Sequence, residues 1–153
     1  MYQEGQPPLR SRPPAPPPER ELFQVLISGQ TIEIASAEEA AALGLDRTII
    51  DVRSYWRPHP RMQGTVWAPR DAAAAIDREL ENVDEITVHC EWGFLRSPVT
   101  VAVFLIHHRD LSLSSASHKV KAAFEAASAS VDPQFDAWLP PAASDSQRCP
   151  WSY

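Results

Sequence analysis

The chain has 153 residues, a hydrophobic content of 44% and a formal net charge of −6. This size suits one domain with a single core, and the acidic charge argues against a general binder of nucleic acid or of anionic membranes. The longest apolar run, VTVAVFLI at 99–106, is too short to span a bilayer, so we expect a soluble protein.

The two ends of the chain differ in composition from its middle. Residues 1–20 contain seven of the fifteen prolines and predict a disordered, proline-rich tail. Arg10, Pro13 and Pro16 match the spacing of ligands that dock on SH3-type grooves. A solubilising tail is the simpler interpretation, because proline-rich segments meet that spacing easily. Residues 141–153 predict an irregular C-terminal tail.

The first part of the middle region predicts two strands, a helix and a third strand. LFQVLI at 22–27 and TIEI at 31–34 predict strands around a turn. Ser36 and Glu39 form a capping box that predicts a helix start. TIIDV at 48–52 predicts a strand that is buried on both faces.

The second part continues this alternation. AAAAIDREL at 72–80 predicts a helix, and EITVHC at 85–90 predicts a strand. Ser97 as N-cap and Pro98 at the first helical position predict a helix over the β-branched run that follows. Ser112 caps a last amphipathic helix. The sequence therefore predicts an α/β domain with a central, mainly parallel sheet flanked by helices.

The stretch VHCEWGFLRSP at 88–98 combines features that suit an anion cradle. A strand ends at Cys90, Gly93 allows a tight loop with converging N–H groups, and a helix starts after Arg96. These groups favour a nucleophilic thiolate, and a guanidinium can grip two phosphate oxygens. The combination indicates phosphoryl transfer to sulfur followed by hydrolysis. A buried cysteine without chemistry would explain Cys90 but not its neighbours.

The same stretch resembles a known family. Its residues match the HCxxGxxRS signature of the cysteine-dependent protein tyrosine phosphatases, and the RSP ending resembles the dual-specificity branch. LSLSSASHKVK at 111–121 and VDPQF at 131–135 resemble later segments of that family. The resemblance implies that residues 21–140 are a phosphatase-like catalytic domain acting on phosphorylated proteins.

The resemblance also implies roles for individual residues. Cys90 would be the nucleophile and Arg96 the phosphate clamp, His89 would orient the loop, and Ser97 would ease departure of the thiolate from the phosphoenzyme. The phosphate loop would consist of Glu91, Trp92, Gly93, Phe94, Leu95 and Arg96.

The general acid is harder to assign from the sequence. Dual-specificity phosphatases usually carry an aspartate some thirty residues before the cysteine, whereas the best candidate here, Asp71, lies 19 positions before Cys90. Asp71 is equally suited to cap the helix that follows it. If no acid is present, a catalytically weak, phosphate-binding pseudophosphatase is the alternative.

The first half also resembles a rhodanese domain, through SAEEAAALGLDRTIIDVRS and QGTVWAPRD. A rhodanese-like fold is therefore the alternative, with sulfurtransferase, phosphatase or arsenate reductase activity. The five residues between Cys90 and Arg96 resemble the loops of the phosphatases and arsenate reductases on that scaffold.

Neither resemblance implies a metal or an organic cofactor. His107 and His108 lack a third ligand at metal spacing and suit a helix end instead. The chain has only two cysteines, Cys90 and Cys149, and no evident signal peptide, so we expect a cytoplasmic or nuclear protein.

Overall fold

A computed structural model describes residues 22–140, apart from residues 45, 60 and 62. Its strands are β1 (Phe23–Ile27), β2 (Gln30–Ala35), β3 (Ile49–Asp51), β4 (Trp56–Pro58), β5 (Thr65–Trp67) and β6 (Glu85–His89). Its helices are α1 (Ala37–Ala41), α2 (Pro69–Leu80), α3 (Arg96–His108), α4 (Leu113–Ala126) and α5 (Phe135–Trp138). A 3-10 turn, Val52–Ser54, follows β3.

Four strands form the central sheet in the order β1-β2-β6-β3. β1 pairs antiparallel with β2, whereas β2 and β3 both pair parallel with β6. The predicted α/β fold with a mainly parallel central sheet is confirmed. β4 and β5 form a separate antiparallel hairpin.

β3 is an edge strand and is buried on one face only, which corrects one detail of the sequence prediction. Ile50 is buried, but Ile49 keeps 38% of its surface exposed. The run TIIDV is therefore not buried on both faces, because the side chains that alternate with Ile50 lie on a partly exposed face.

The helices follow the predicted patterns of burial. Ala72, Ile76 and Leu80 on α2 are all buried. Every residue from Val99 to Leu105 on α3 is buried, because this helix packs against both α2 and α4 and against the sheet. Tertiary packing thus overrides the strand propensity of its β-branched residues.

The helix starts agree with the sequence in part. The capping box of Ser36 and Glu39 is present at α1, and Ser112 caps α4. Two predicted N-caps are wrong. Leu95 takes the N-cap of α3 in place of Ser97, whose side chain is buried. Ala68 takes the N-cap of α2 in place of Asp71. Pro69 fits the first helical position, so Asp71 is the third residue of the helix.

The two predicted tails, residues 1–20 and 141–153, lie outside the described residues. Within the described part of the chain, no helix has the length and apolar character needed to cross a bilayer. The same residues contain no group of three or more histidine, cysteine or acidic side chains arranged to hold a metal ion.

Candidate active site

The candidate site lies at the carboxyl edge of the parallel strands. His89, the last residue of β6, is in register with Ala35 of β2 and with Asp51 of β3. The chain then forms the loop 90–95, which we call the cradle loop, and enters α3 at Arg96. Ligands of open α/β sheets bind at this edge, because the loops there leave a crevice beyond the strand ends.

The sulfur of Cys90 lies inside the cradle loop. Cys90 is a free thiol with 4% of its surface exposed. The N–H of Gly93 donates a hydrogen bond to its Sγ at 3.2 Å. The sulfur therefore faces a backbone N–H donor of the same loop, at the point where the chain turns into α3.

Gly93 is required for two reasons. Its φ of +87° lies in the left-handed region, which side chains with a Cβ rarely adopt. A Cβ at this position would also lie 2.9 Å from the carbonyl carbon and oxygen of Ala35 and 3.0 Å from the nitrogen of Ser36. The cradle loop therefore folds tightly against the end of β2.

One side of the cradle loop is held by a hydrogen bond and an ion-pair chain. The N–H of Ala37 donates to the carbonyl of Glu91 at 3.0 Å. Arg53 links the carboxylates of Glu91 and Asp51, with its Nε 2.9 Å from Asp51 Oδ1. Burial raises the pKa of Asp51, but the hydrogen bonds from Arg53 outweigh burial and the pKa is lowered. The same contacts raise the pKa of Arg53.

The other side of the cradle loop packs into the core through Phe94. Its ring lies 5.8 Å from that of Phe23 and 5.9 Å from that of Phe124, measured between centroids. Its carbonyl accepts a hydrogen bond from the N–H of Asp132 at 2.8 Å. The loop is thereby joined to the segment that precedes α5.

Arg96 lies against two tryptophans of the β4–β5 hairpin. Its guanidinium carbon is 5.6 Å from the ring centroid of Trp56 and 5.8 Å from that of Trp67. These rings are cross-strand partners, so the hairpin presents both to the same cation. The sequence predicts no contact between these tryptophans and Arg96, because nothing in their spacing shows that the hairpin reaches α3.

His89 and Ser97 flank the cradle loop, at the end of β6 and in the first turn of α3. His89 Nδ1 donates to the carbonyl of Cys90 at 3.1 Å, so that this nitrogen carries the proton. The hydroxyl of Ser97 is buried and has no hydrogen-bond partner among the described residues. A buried hydroxyl without a partner is costly, although Ser97 is not among the residues that line the pocket described next.

A pocket of about 280 Å³ opens over the cradle loop. It is lined by Cys90, Glu91, Trp92, Phe94, Leu95, Arg96 and Asp132. The indole of Trp92 is 73% exposed, so it extends the pocket wall toward solvent. Asp132 is the one lining residue to which the sequence analysis gave no role.

Asp71 lies outside the set of residues that line this pocket. It occupies the first turn of α2, where its carboxylate pairs with Arg57 at 3.4 Å. Its assignment as a general acid stays a prediction.

Comparisons with known proteins support the fold. No protein-family model matches the sequence, and no curated protein matches it significantly. One match is a mouse protein described as a candidate dual-specificity phosphatase, whose structure was solved with zinc tungstate. It is 25% identical in sequence, and the match covers 85% of this chain and 89% of that one with a TM-score of 0.52.

Two human structures match as well. A single-residue variant of human DUSP28 is 27% identical over 78% of this chain and 90% of that one, with a TM-score of 0.48. Human DUSP28 itself is 25% identical over 68% and 85%, with a TM-score of 0.45. The resemblance to a rhodanese domain stays a prediction. Together with the sheet and helices described above, the similarity to the mouse structure shows that this chain has a dual-specificity phosphatase-like fold.

Proposed function

We propose that the protein is a cysteine-dependent phosphatase that hydrolyses phosphomonoesters of proteins through a cysteinyl-phosphate intermediate. One observation carries the proposal: Cys90 and Arg96 line the same pocket, and the sulfur of Cys90 accepts a hydrogen bond from the loop backbone. The similarity to a mouse protein described as a candidate dual-specificity phosphatase agrees with this chemistry.

In the proposed reaction each residue has one task. Cys90 attacks phosphorus and forms the S–P bond as the ester P–O bond breaks. Arg96 holds two phosphoryl oxygens in its planar fork, and the helix N-terminus and loop amides stabilise the charge that builds on them. Water then attacks phosphorus, the S–P bond breaks, and the hydroxyl of Ser97 stabilises the departing thiolate.

His89 and Trp92 support the chemistry from either side. His89 fixes the carbonyl of Cys90 through its Nδ1–H and thus orients the first peptide of the cradle loop. The exposed indole of Trp92 gives the pocket an apolar wall suited to the ring of an aryl phosphate such as phosphotyrosine.

The proposal is tested by p-nitrophenyl phosphate turnover of the wild type and two variants. Cys90→Ser should abolish turnover, because a hydroxyl at this position is not ionised. Arg96→Lys keeps the charge but removes the fork, so turnover should fall by about 10²-fold or more. A phosphoryl group trapped on Cys90 by acid quench would identify the intermediate.

Two other outcomes would redirect the assignment. Phosphate binding without turnover by the wild type would identify a phosphate-recognising module instead of an enzyme. Transfer of sulfur from thiosulfate to cyanide, with a persulfide on Cys90, would favour the sulfurtransferase alternative.

A further inference from the structure

The pocket contains an acidic residue, Asp132, for which the sequence predicted no catalytic role. It lines the cavity together with Cys90 and Arg96. It is also tied to the cradle loop, because its N–H donates to the carbonyl of Phe94 at 2.8 Å.

The carboxylate of Asp132 has a defined orientation. Its Oδ1 accepts a hydrogen bond from the N–H of Gln134 at 2.8 Å, and its own carbonyl accepts from the N–H of Phe135 at 2.9 Å. Phe135 is fully buried and anchors this turn in the core. Oδ2 accepts no hydrogen bond from the described residues, which leaves it available to a group in the pocket.

The other carboxylates around the cradle loop are paired with arginines. Arg53 binds both Asp51 and Glu91, and Asp71 pairs with Arg57. Each of these carboxylates is therefore already engaged by a guanidinium group.

Asp132 differs in this respect. Among the residues that the structure describes, it forms no ion pair with a lysine, arginine or histidine. Of the two acidic residues that line the pocket, it is thus the one whose carboxylate is not paired with an arginine.

We propose that Asp132 is the proton-transfer residue of the phosphatase reaction. The inference rests on the function proposed above. In the first step the carboxylic acid of Asp132 gives its proton to the ester oxygen, the P–O bond breaks and the S–P bond to Cys90 forms. In the second step the carboxylate takes a proton from water, a new P–O bond forms, the S–P bond breaks and the thiolate is released.

Leaving-group dependence and pH dependence together test this role. Asp132→Asn is nearly isosteric and keeps the oxygen that accepts from Gln134, so the variant should fold normally. Loss of a general acid should lower kcat by about 10²-fold for phenyl phosphate, whose leaving group needs the proton, and by much less for p-nitrophenyl phosphate. The fall of kcat with rising pH should be absent in Asp132→Asn. Asp132→Glu should restore this pH dependence in part.

Asp136→Asn is the matched control. It changes an aspartate of the same segment whose carboxylate pairs with Lys121 at 2.8 Å and does not line the pocket. Its kcat for both substrates and its pH profile should equal those of the wild type.

The possible failures are distinguishable. If Asp71→Asn produces these changes and Asp132→Asn does not, or if neither does, the proposal is wrong although the enzyme is a phosphatase. A wild type that hydrolyses neither substrate removes the proposed function and the role of Asp132 with it.

Discussion

Substitution of Gly93 by alanine should destabilise the domain and disable the cradle loop at once. The left-handed backbone costs a residue with a Cβ about 1–2 kcal/mol. The added Cβ would also lie 2.9 Å from backbone atoms of Ala35, and relieving such overlap in a packed region costs about 1–3 kcal/mol more. We therefore expect a loss of roughly 2–5 kcal/mol in the free energy of unfolding.

Gly29 provides a matched control in the β1–β2 turn. Its φ of +80° is close to the +87° of Gly93, but a Cβ there would have nothing within 4 Å. Gly29→Ala should therefore show the backbone cost alone, about 1–2 kcal/mol, and leave turnover unchanged.

Urea unfolding monitored by circular dichroism measures both free energies, and p-nitrophenyl phosphate turnover reports on the loop. The difference between the two variants isolates the overlap with β2. Equal destabilisation of Gly29→Ala and Gly93→Ala, with turnover retained in both, would refute the argument that Gly93 is needed for close packing.

Three further predictions concern the surroundings of the cradle loop. Asp51→Asn should lower the urea midpoint of unfolding at neutral pH. The pKa of Asp51 in the folded protein is lowered from 3.8. The stability difference between wild type and variant should therefore be full above pH 3.8 and should shrink as the pH falls through the lowered pKa. A constant difference would contradict this. Phe94→Ala should cost about 2 kcal/mol of unfolding free energy by denaturant titration, because a half-buried ring between Phe23 and Phe124 is lost; less than about 0.5 kcal/mol would show that the ring contacts contribute little. Trp92→Ala should change that free energy by less than about 0.5 kcal/mol but raise KM for aryl phosphates roughly threefold to tenfold, and an unchanged KM would exclude the indole as a pocket wall.

The sequence predicted the fold class and the cradle loop because both depend on local signals. Strand runs, the capping box at Ser36 and the order of Cys90, Gly93 and Arg96 are all read within a few positions of each other. Ser97 and Asp71 were misplaced as helix caps because cap preference is weak and a proline or a buried side chain shifts the start by one or two residues.

The parts of the candidate site that the sequence did not predict are long-range contacts. Trp56 and Trp67 reach Arg96 only because the hairpin folds back toward α3, and Asp132 reaches Phe94 from a segment that reads as an ordinary turn. No pattern of periodicity or spacing reports such contacts, since they depend on how distant elements pack. For Asp132, the available signal was the resemblance of VDPQF at 131–135 to a later segment of the phosphatase family.

The two hydrogen bonds that hold the cradle loop, from Ala37 to Glu91 and from Asp132 to Phe94, have a consequence for synthesis of the chain. One partner precedes the loop and the other follows it, so a nascent chain emerging from the ribosome has the first contact well before the second. Domains generally complete their folding as units during synthesis. The anion site is therefore expected to form only after the segment that carries Asp132 has left the ribosome, together with the rest of the domain.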